Sequence, residues 1–138
     1  MLTTPITHPE LLAALARCGH GSKILLADGN YPHVTGVPAT AERIGLNVTP
    51  GLLTVDQILV PLSRALTVES CEYMLTADSS KAPAVAGYED LLPGIAFTDH
   101  ERFAFYDAAR EADVAVVIAT GDERQYANLL LTVGVVSK

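Results

Sequence analysis

Three stretches of the chain gather side chains that can move protons and hold hydroxyl groups. The first is Cys18-Gly19-His20-Gly21 with Asp28-Gly29-Asn30-Tyr31-Pro32-His33. The second is Asp99-His100-Glu101-Arg102-Phe103-Ala104-Phe105-Tyr106. The third is Gly121-Asp122-Glu123-Arg124-Gln125-Tyr126-Ala127-Asn128. His20 stands between two glycines. An imidazole, with an ordinary pKa of about 6.5, can both give and take a proton near neutrality. A polar residue at a helix end would look the same. Asp28 can accept hydrogen bonds from hydroxyls, although aspartate also caps turns. Asn128 offers a donor and an acceptor, which matches a hydroxyl. Tyr126 and Tyr31 can donate a hydrogen bond or pack a flat ring against a ligand. Arg102 and Tyr106 fall at i and i+4, on one helix face. A buried arginine beside a tyrosine fits a pocket that reads hydroxyls or an acid, and the guanidinium can fork onto two oxygens. Phe103 and Phe105 serve equally well as helix core.

These stretches need a frame, and the apolar pattern supplies one. Thr7-His8-Pro9-Glu10 has capping-box spacing, with Thr7 at the N-cap, and predicts a helix over 8–18. Residues 23–27 (KILLA) predict a buried strand ending at the turn Asp28-Gly29-Asn30. A loop with Pro32, Gly36 and Pro38 follows, then a strand within 43–48. Thr54-Val55-Asp56-Gln57 is a second capping box. It opens a helix toward Leu66, which Pro61 should kink or end early. Strands are expected at 71–77, 95–98, 113–120 and 129–133, and helices over 80–92 and 100–111. Asp99 is the expected cap of the latter. His100, in its first turn, would feel the positive end of the helix dipole, which favours the neutral imidazole. Alternating strands and helices predict an α/β fold: one compact domain over 1–138, a mostly parallel sheet, and helices on both faces. Ligands of such sheets bind beyond the carboxyl ends of the strands. The loops after 23–27, 95–98 and 113–120 should share that edge.

Composition narrows the function. The 138 residues are 49% apolar and only 18% charged, with a net charge of −7. Disorder and a coiled coil are excluded. The nine Lys and Arg are scattered, so there is no basic face for nucleic acid or for an anionic membrane. No apolar run reaches the ~18 residues of a membrane span. Met1-Leu2-Thr3-Thr4-Pro5 lacks the basic start of a signal peptide, so a cytoplasmic protein is expected. Cys18 and Cys71 are isolated and read as reduced, buried thiols. His8, His20, His33 and His100 match no metal-ligand spacing. No dinucleotide, P-loop or nucleophile-elbow motif is present.

Four segments, in order, resemble the D-ribose pyranase / L-fucose mutarotase family. They are Glu10-Leu11-Leu12 to Gly19-His20-Gly21, then Ala27-Asp28-Gly29-Asn30-Tyr31-Pro32, then Arg102-Phe103-Ala104-Phe105-Tyr106, then Tyr126-Ala127-Asn128 before an apolar strand and Gly134-Val135. The resemblance implies a role for each matching position. His20 falls on the catalytic proton donor, Asp28 on a sugar-binding carboxylate, and Tyr126, Ala127 and Asn128 on the sugar-binding Tyr-X-Asn segment. Arg102 falls on the arginine of the fucose branch and His100 on a histidine of the ribose branch. The chain carries both, with the longer match to the fucose branch. The resemblance implies a mutarotase that opens and recloses an L-fucose-like sugar by acid/base chemistry, without metal or cofactor. Its alternatives are a D-ribose pyranase and a sugar-binding, transport-accessory module without turnover. A nucleotide-binding regulatory domain rests on fold analogy alone and lacks phosphate-loop glycines. The resemblance further implies ring-shaped homo-oligomers, pentamers or decamers, with the active site shared between subunits. Apolar surface left over by the low charge content would then be subunit interface.

Overall fold

The computed structural model describes all residues 1–138. Six strands form one sheet: β1 Lys23–Ala27, β2 Glu42–Gly45, β3 Val68–Met74, β4 Ala96–His100, β5 Val114–Ala119 and β6 Leu129–Val133. Side chains alternate across a strand, so a strand covered on both faces reads as an unbroken apolar run. β1 shows this. Ile24 and Leu26 enter one core, and Leu25 and Ala27 enter the other. The first core packs under three helices: α1 Pro9–Arg17, α2 Val55–Ala65 and α3 Pro83–Leu91. The second packs under α4 Arg102–Ala109, through Phe105 and Ala109, and under the 31–41 loop, through Tyr31, Val37 and Ala41.

The spatial order is β2-β5-β1-β6-β3-β4. β5 pairs parallel with β1 and β2, and β3 pairs parallel with β4. β6 is antiparallel to both of its neighbours, β1 and β3. The sheet is therefore mostly parallel, with one reversed strand near its middle. That reversal places the start of β6 at the carboxyl edge of the other five.

Several boundaries move from their expected places. His8, not Thr7, caps α1: its Nδ1 accepts from Leu11 N–H at 3.2 Å. Thr54 and Gln57 form the expected capping box of α2. Pro61 neither ends α2 nor stops it short of Ala65. An internal proline costs about 3 kcal/mol. Val55, Ile58, Leu59 and Leu62 are all buried along the same helix, and each such side chain contributes ~1.5–3 kcal/mol. Their burial outweighs the proline. At the other end of the chain, Asp99 and His100 do not open α4. They continue β4, paired with Tyr73 and Met74. Glu101 is the N-cap, accepting from Phe103 N–H and Ala104 N–H. His100 thus lies outside the helix, and the dipole argument for its neutral form lapses.

The loop after β5 is wedged against the loop before α2. Gly51 N–H donates to the Gly121 carbonyl at 2.6 Å, and Gly121 N–H donates to the Leu53 carbonyl at 3.1 Å. A Cβ on Gly121 would sit on the carbonyl oxygens of Thr49 and Leu52. Backbone cannot swing aside as a side chain can. Gly121→Ala is expected to destabilise the fold by about 3 kcal/mol, read as a lower urea midpoint with an unchanged m-value.

Candidate functional site

β1 ends where β6 begins, and Leu26 pairs with Leu129. Asp28 and Asn128, 100 residues apart in sequence, therefore meet. Asp28 N–H donates to Asn128 Oδ1 at 2.8 Å, and Asn128 Nδ2 donates back to Asp28 Oδ2 at 3.1 Å. The backbone donor fixes which end of the amide faces which partner. Ala127 N–H also donates to Asp28 Oδ2, at 3.3 Å. Asn30 N–H and Tyr31 N–H donate to Oδ1 at 2.9 and 3.0 Å. A carboxylate offers about four lone-pair sites, and four donors occupy them here. Asp28 is only 3% exposed. Burial pushes its carboxyl above the usual range, against the pull of the N–H groups of Asn30, Ala127 and Tyr31. Asp28 was expected to accept hydroxyls directly. Its contacts instead tie the turn after β1 to the Tyr126–Asn128 segment.

The tie has a consequence one residue upstream. Tyr126 has φ of +60°, a left-handed backbone that a bulky side chain seldom adopts. The next two residues are held by Asp28, and the Tyr88 hydroxyl donates to the Ala127 carbonyl at 2.7 Å. Tyr126 is therefore turned toward a cavity of about 270 Å³ lined by Asp28, Asn30, Tyr31, Met74, Arg102, Tyr106, Gln125, Tyr126 and Asn128. That volume suits a small molecule, below the ~300 Å³ at which drug-sized sites begin. The lining joins polar ends to flat aromatic faces, as a sugar requires. Ala127 is buried and contributes backbone only.

Arg102 lines this cavity from the start of α4, where it is exposed rather than buried as expected. Its guanidinium lies 5.7 Å from the Tyr106 ring centre and 5.5 Å from that of Phe103. Tyr31 shows the cavity its ring, while its hydroxyl donates to the Gly36 carbonyl at 2.7 Å. Met74 was not anticipated. It ends β3 at the same carboxyl edge, where the general rule for such sheets already pointed. Beside this cavity a larger hollow of about 480 Å³ shares Asn30 and is walled mostly by the 47–50 and 120–123 segments. It holds none of His20, Asp28, Arg102, Tyr126 or Asn128.

The two histidines lie elsewhere. His100 does not line the cavity; its Nε2 meets Glu72 Oε1 at 2.7 Å on the sheet face beneath α4. His20 precedes β1 whereas Asp28 follows it. At about 3.3 Å per residue the strand holds them on the order of 20 Å apart. His20 is exposed on the amino edge, and its Nε2 lies 2.9 Å from Glu69 Oε2. No group of three or more His, Cys, Asp or Glu is arranged to hold a metal ion.

A second buried carboxylate braces the site. Asp122 accepts from Val55 N–H at 2.9 Å and from Arg124 Nη2 at 2.6 Å. Arg124 also pairs with Asp56 on α2. Burial acts to raise the Asp122 carboxyl, but the Arg124 guanidinium and the Val55 N–H outweigh it and hold it below its ordinary 3.8. A depressed acid stabilises the fold above the unfolded-state value, and that contribution fades as pH falls through the folded one. Arg124→Gln should cost about 2 kcal/mol at pH 7. The gap to wild type should narrow at pH 3, as measured by urea unfolding at both pH values.

With this geometry in place, comparison with known proteins places the chain. It is 37% identical over 139 residues to a fucose mutarotase from Bos taurus, covering 94% of this chain and 89% of that protein. It is 32% identical over 136 residues to a D-ribose pyranase from Paracidovorax citrulli, covering 98% of both. The solved structure of Bacillus subtilis RbsD complexed with D-ribose superposes with a TM-score of 0.85 at 27% identity, over 99% of this chain and all of that one. The family model described as the RbsD / FucU transport protein family matches residues 1–136. This chain belongs to the RbsD / FucU transport protein family.

Proposed function

We propose that the protein is a cofactor-independent monosaccharide mutarotase acting on an L-fucose-like sugar. The observation that carries this reading is the cavity that Asp28, Tyr126, Asn128 and Arg102 build at the carboxyl edge. The kinship with a fucose mutarotase and a D-ribose pyranase supports the reaction class. The position of Arg102 in the cavity, with His100 turned away to Glu72, supports the fucose type over the ribose type.

The reaction needs only proton transfer. The anomeric O–H gives up its proton as the C1 carbonyl forms. The C1–O5 bond breaks, its electron pair stays on O5, and O5 takes a proton. The carbonyl then turns, and the ring closes on the other face by the reverse steps. A placed acid/base typically contributes ~10²–10⁴-fold. His20 is that acid/base in this reading. Arg102 and Asn128 hold sugar oxygens, the Tyr126 and Tyr106 rings hold the C–H face, and Asp28 fixes the segment that presents them.

His20 and the cavity lie on opposite edges of one subunit, so one chain does not bring them together. A second copy, docking its His20 edge onto the first copy's cavity, does. Such a contact joins two different patches, and repeated head to tail it forms a ring when the rotation between copies closes. Apolar side chains stand exposed on both edges: Phe103, Val34 and Val48 beside the cavity, Val135 and Val136 beyond β6. We therefore assign the protein a ring-shaped homo-oligomer with shared sites. No helix is long and apolar enough to cross a membrane.

NMR anomer exchange on L-fucose and D-ribose tests the reading. Wild type should speed exchange of L-fucose, and His20→Ala should remove at least about a hundredfold of that. Arg102→Ala should weaken apparent sugar affinity about tenfold. A wild-type protein that accelerates no sugar overturns the proposal. Light scattering should find an oligomer; a fully active monomer contradicts the shared site.

A further inference from the structure

One proton carrier is named above, yet two protons move as the sugar ring opens. The anomeric hydroxyl loses one while O5 gains another. A single group must do this in turn, through a charged sugar; two groups can do it together. We infer that the Tyr106 hydroxyl is the second carrier, a catalytic residue that gives O5 its proton while His20 takes the anomeric one. This rests on the mutarotase reading and on the cavity as its site.

Elimination within the cavity leaves two tyrosines. Asp28 meets four N–H donors, so its lone pairs hold no proton to lend. The Arg102 guanidinium does not give up its proton, and the amides of Asn30, Gln125 and Asn128 do not ionise. Tyr31 already donates its hydroxyl hydrogen to the Gly36 carbonyl. Tyr106 and Tyr126 remain.

Charge separates these two. Arg102, Tyr106 and Arg110 follow one another at four-residue steps, along one face of α4 and its end. The Arg102 and Arg110 guanidinium carbons stand 5.7 and 5.8 Å from the Tyr106 ring centre. No cation stands over the Tyr126 ring. The neighbouring Tyr106 hydroxyl is the chief cause that raises the Arg102 guanidinium above its ordinary value. A phenol that lends its proton is left as a phenolate, and positive charge beside it steadies that anion. The ring is also held in place. The Tyr31 ring lies 5.6 Å away and the Phe103 ring 6.4 Å away. Phe105, next in the chain, is fully buried and anchors that turn of α4.

The proton balance closes. His20 takes the anomeric hydroxyl proton as the C1 carbonyl forms. The C1–O5 bond breaks, its electron pair stays on O5, and O5 takes the Tyr106 proton. The open sugar then faces an imidazolium and a phenolate. On closure O5 attacks the turned carbonyl and returns its proton to Tyr106, and the anomeric oxygen recovers one from His20. Both groups end as they began, with no proton drawn from solvent.

The test compares wild type, Tyr106→Phe, Tyr106→His, Tyr126→Phe and His20→Ala by NMR exchange on L-fucose and D-ribose, with light scattering on each to match particle size. Tyr106→Phe keeps the ring and its packing and loses only the O–H. It should lower kcat about a hundredfold, with KM changed by less than about twofold. Tyr106→His supplies another proton carrier and should restore part of that kcat. Tyr126→Phe should raise KM and spare kcat. Wild-type kcat in Tyr106→Phe overturns this inference, as does a kcat lost in Tyr126→Phe instead; both leave the functional reading standing. A Tyr106→His no faster than Tyr106→Phe overturns it as well. Exchange untouched in His20→Ala overturns the functional reading itself, and this inference with it.

Discussion

The reciprocal hydrogen bonds between Asp28 and Asn128 hold the two ends of this architecture together. Neither residue can satisfy its buried polar atoms alone, and an unpaired one would cost about 1–3 kcal/mol. Paired, they spend one carboxylate on four N–H donors and leave no buried side-chain polar atom without a partner. The turn after β1, the left-handed Tyr126 and the register of β6 against β1 all follow from that closure. The cavity is the surface of the knot.

Charge inside the fold obeys the same rule of complete pairing. Asp122 is 1% exposed and is tolerable only because Arg124 and Val55 N–H meet it. On the face beneath α4, Lys23 Nζ lies 3.2 Å from Glu72 and 3.5 Å from Asp113, and Glu72 also holds His100. One eight-residue helix cannot roof that whole face, so half-buried ion pairs finish what apolar packing does not. This explains where His100 points. Its side chain completes a ladder across β1, β3 and β4, and the cavity is left to Arg102.

Much of this was legible in the sequence because local and tertiary demands agreed. β1 and β5 lie covered on both faces, and their unbroken apolar runs say so. Thr54 and Gln57 cap α2 as their spacing requires. Where the demands disagreed, the neighbours won. Pro61 argued for a kink or an early end to α2, but with four buried side chains the helix runs on to Ala65. Asp99 is a good cap, yet pairing with β3 keeps it in a strand. The site divides the same way. Asp28, Arg102 and Tyr126–Asn128 adjoin the carboxyl edge, as the rule for such sheets requires. His20 also answered to that rule: it comes before its strand, not after it, so one subunit could never have placed it beside Asp28. That Tyr31 would give its hydroxyl to Gly36 depended on a loop path that residue types do not encode.

The reversed strand near the middle of the sheet also governs the order in which the molecule can form. β1 and β3 share no backbone hydrogen bond; β6 lies between them and bonds to both. Until β6 is in place, β2, β5 and β1 form one half-sheet, and β3 and β4 form another. Each half then exposes a long unpaired edge, the template on which chains aggregate. The joining contacts close a loop of 100 residues, and such distant pairings are slow to form. The last strand to be made is thus the one that ends the vulnerable phase of folding, and closing it assembles the cavity in the same step.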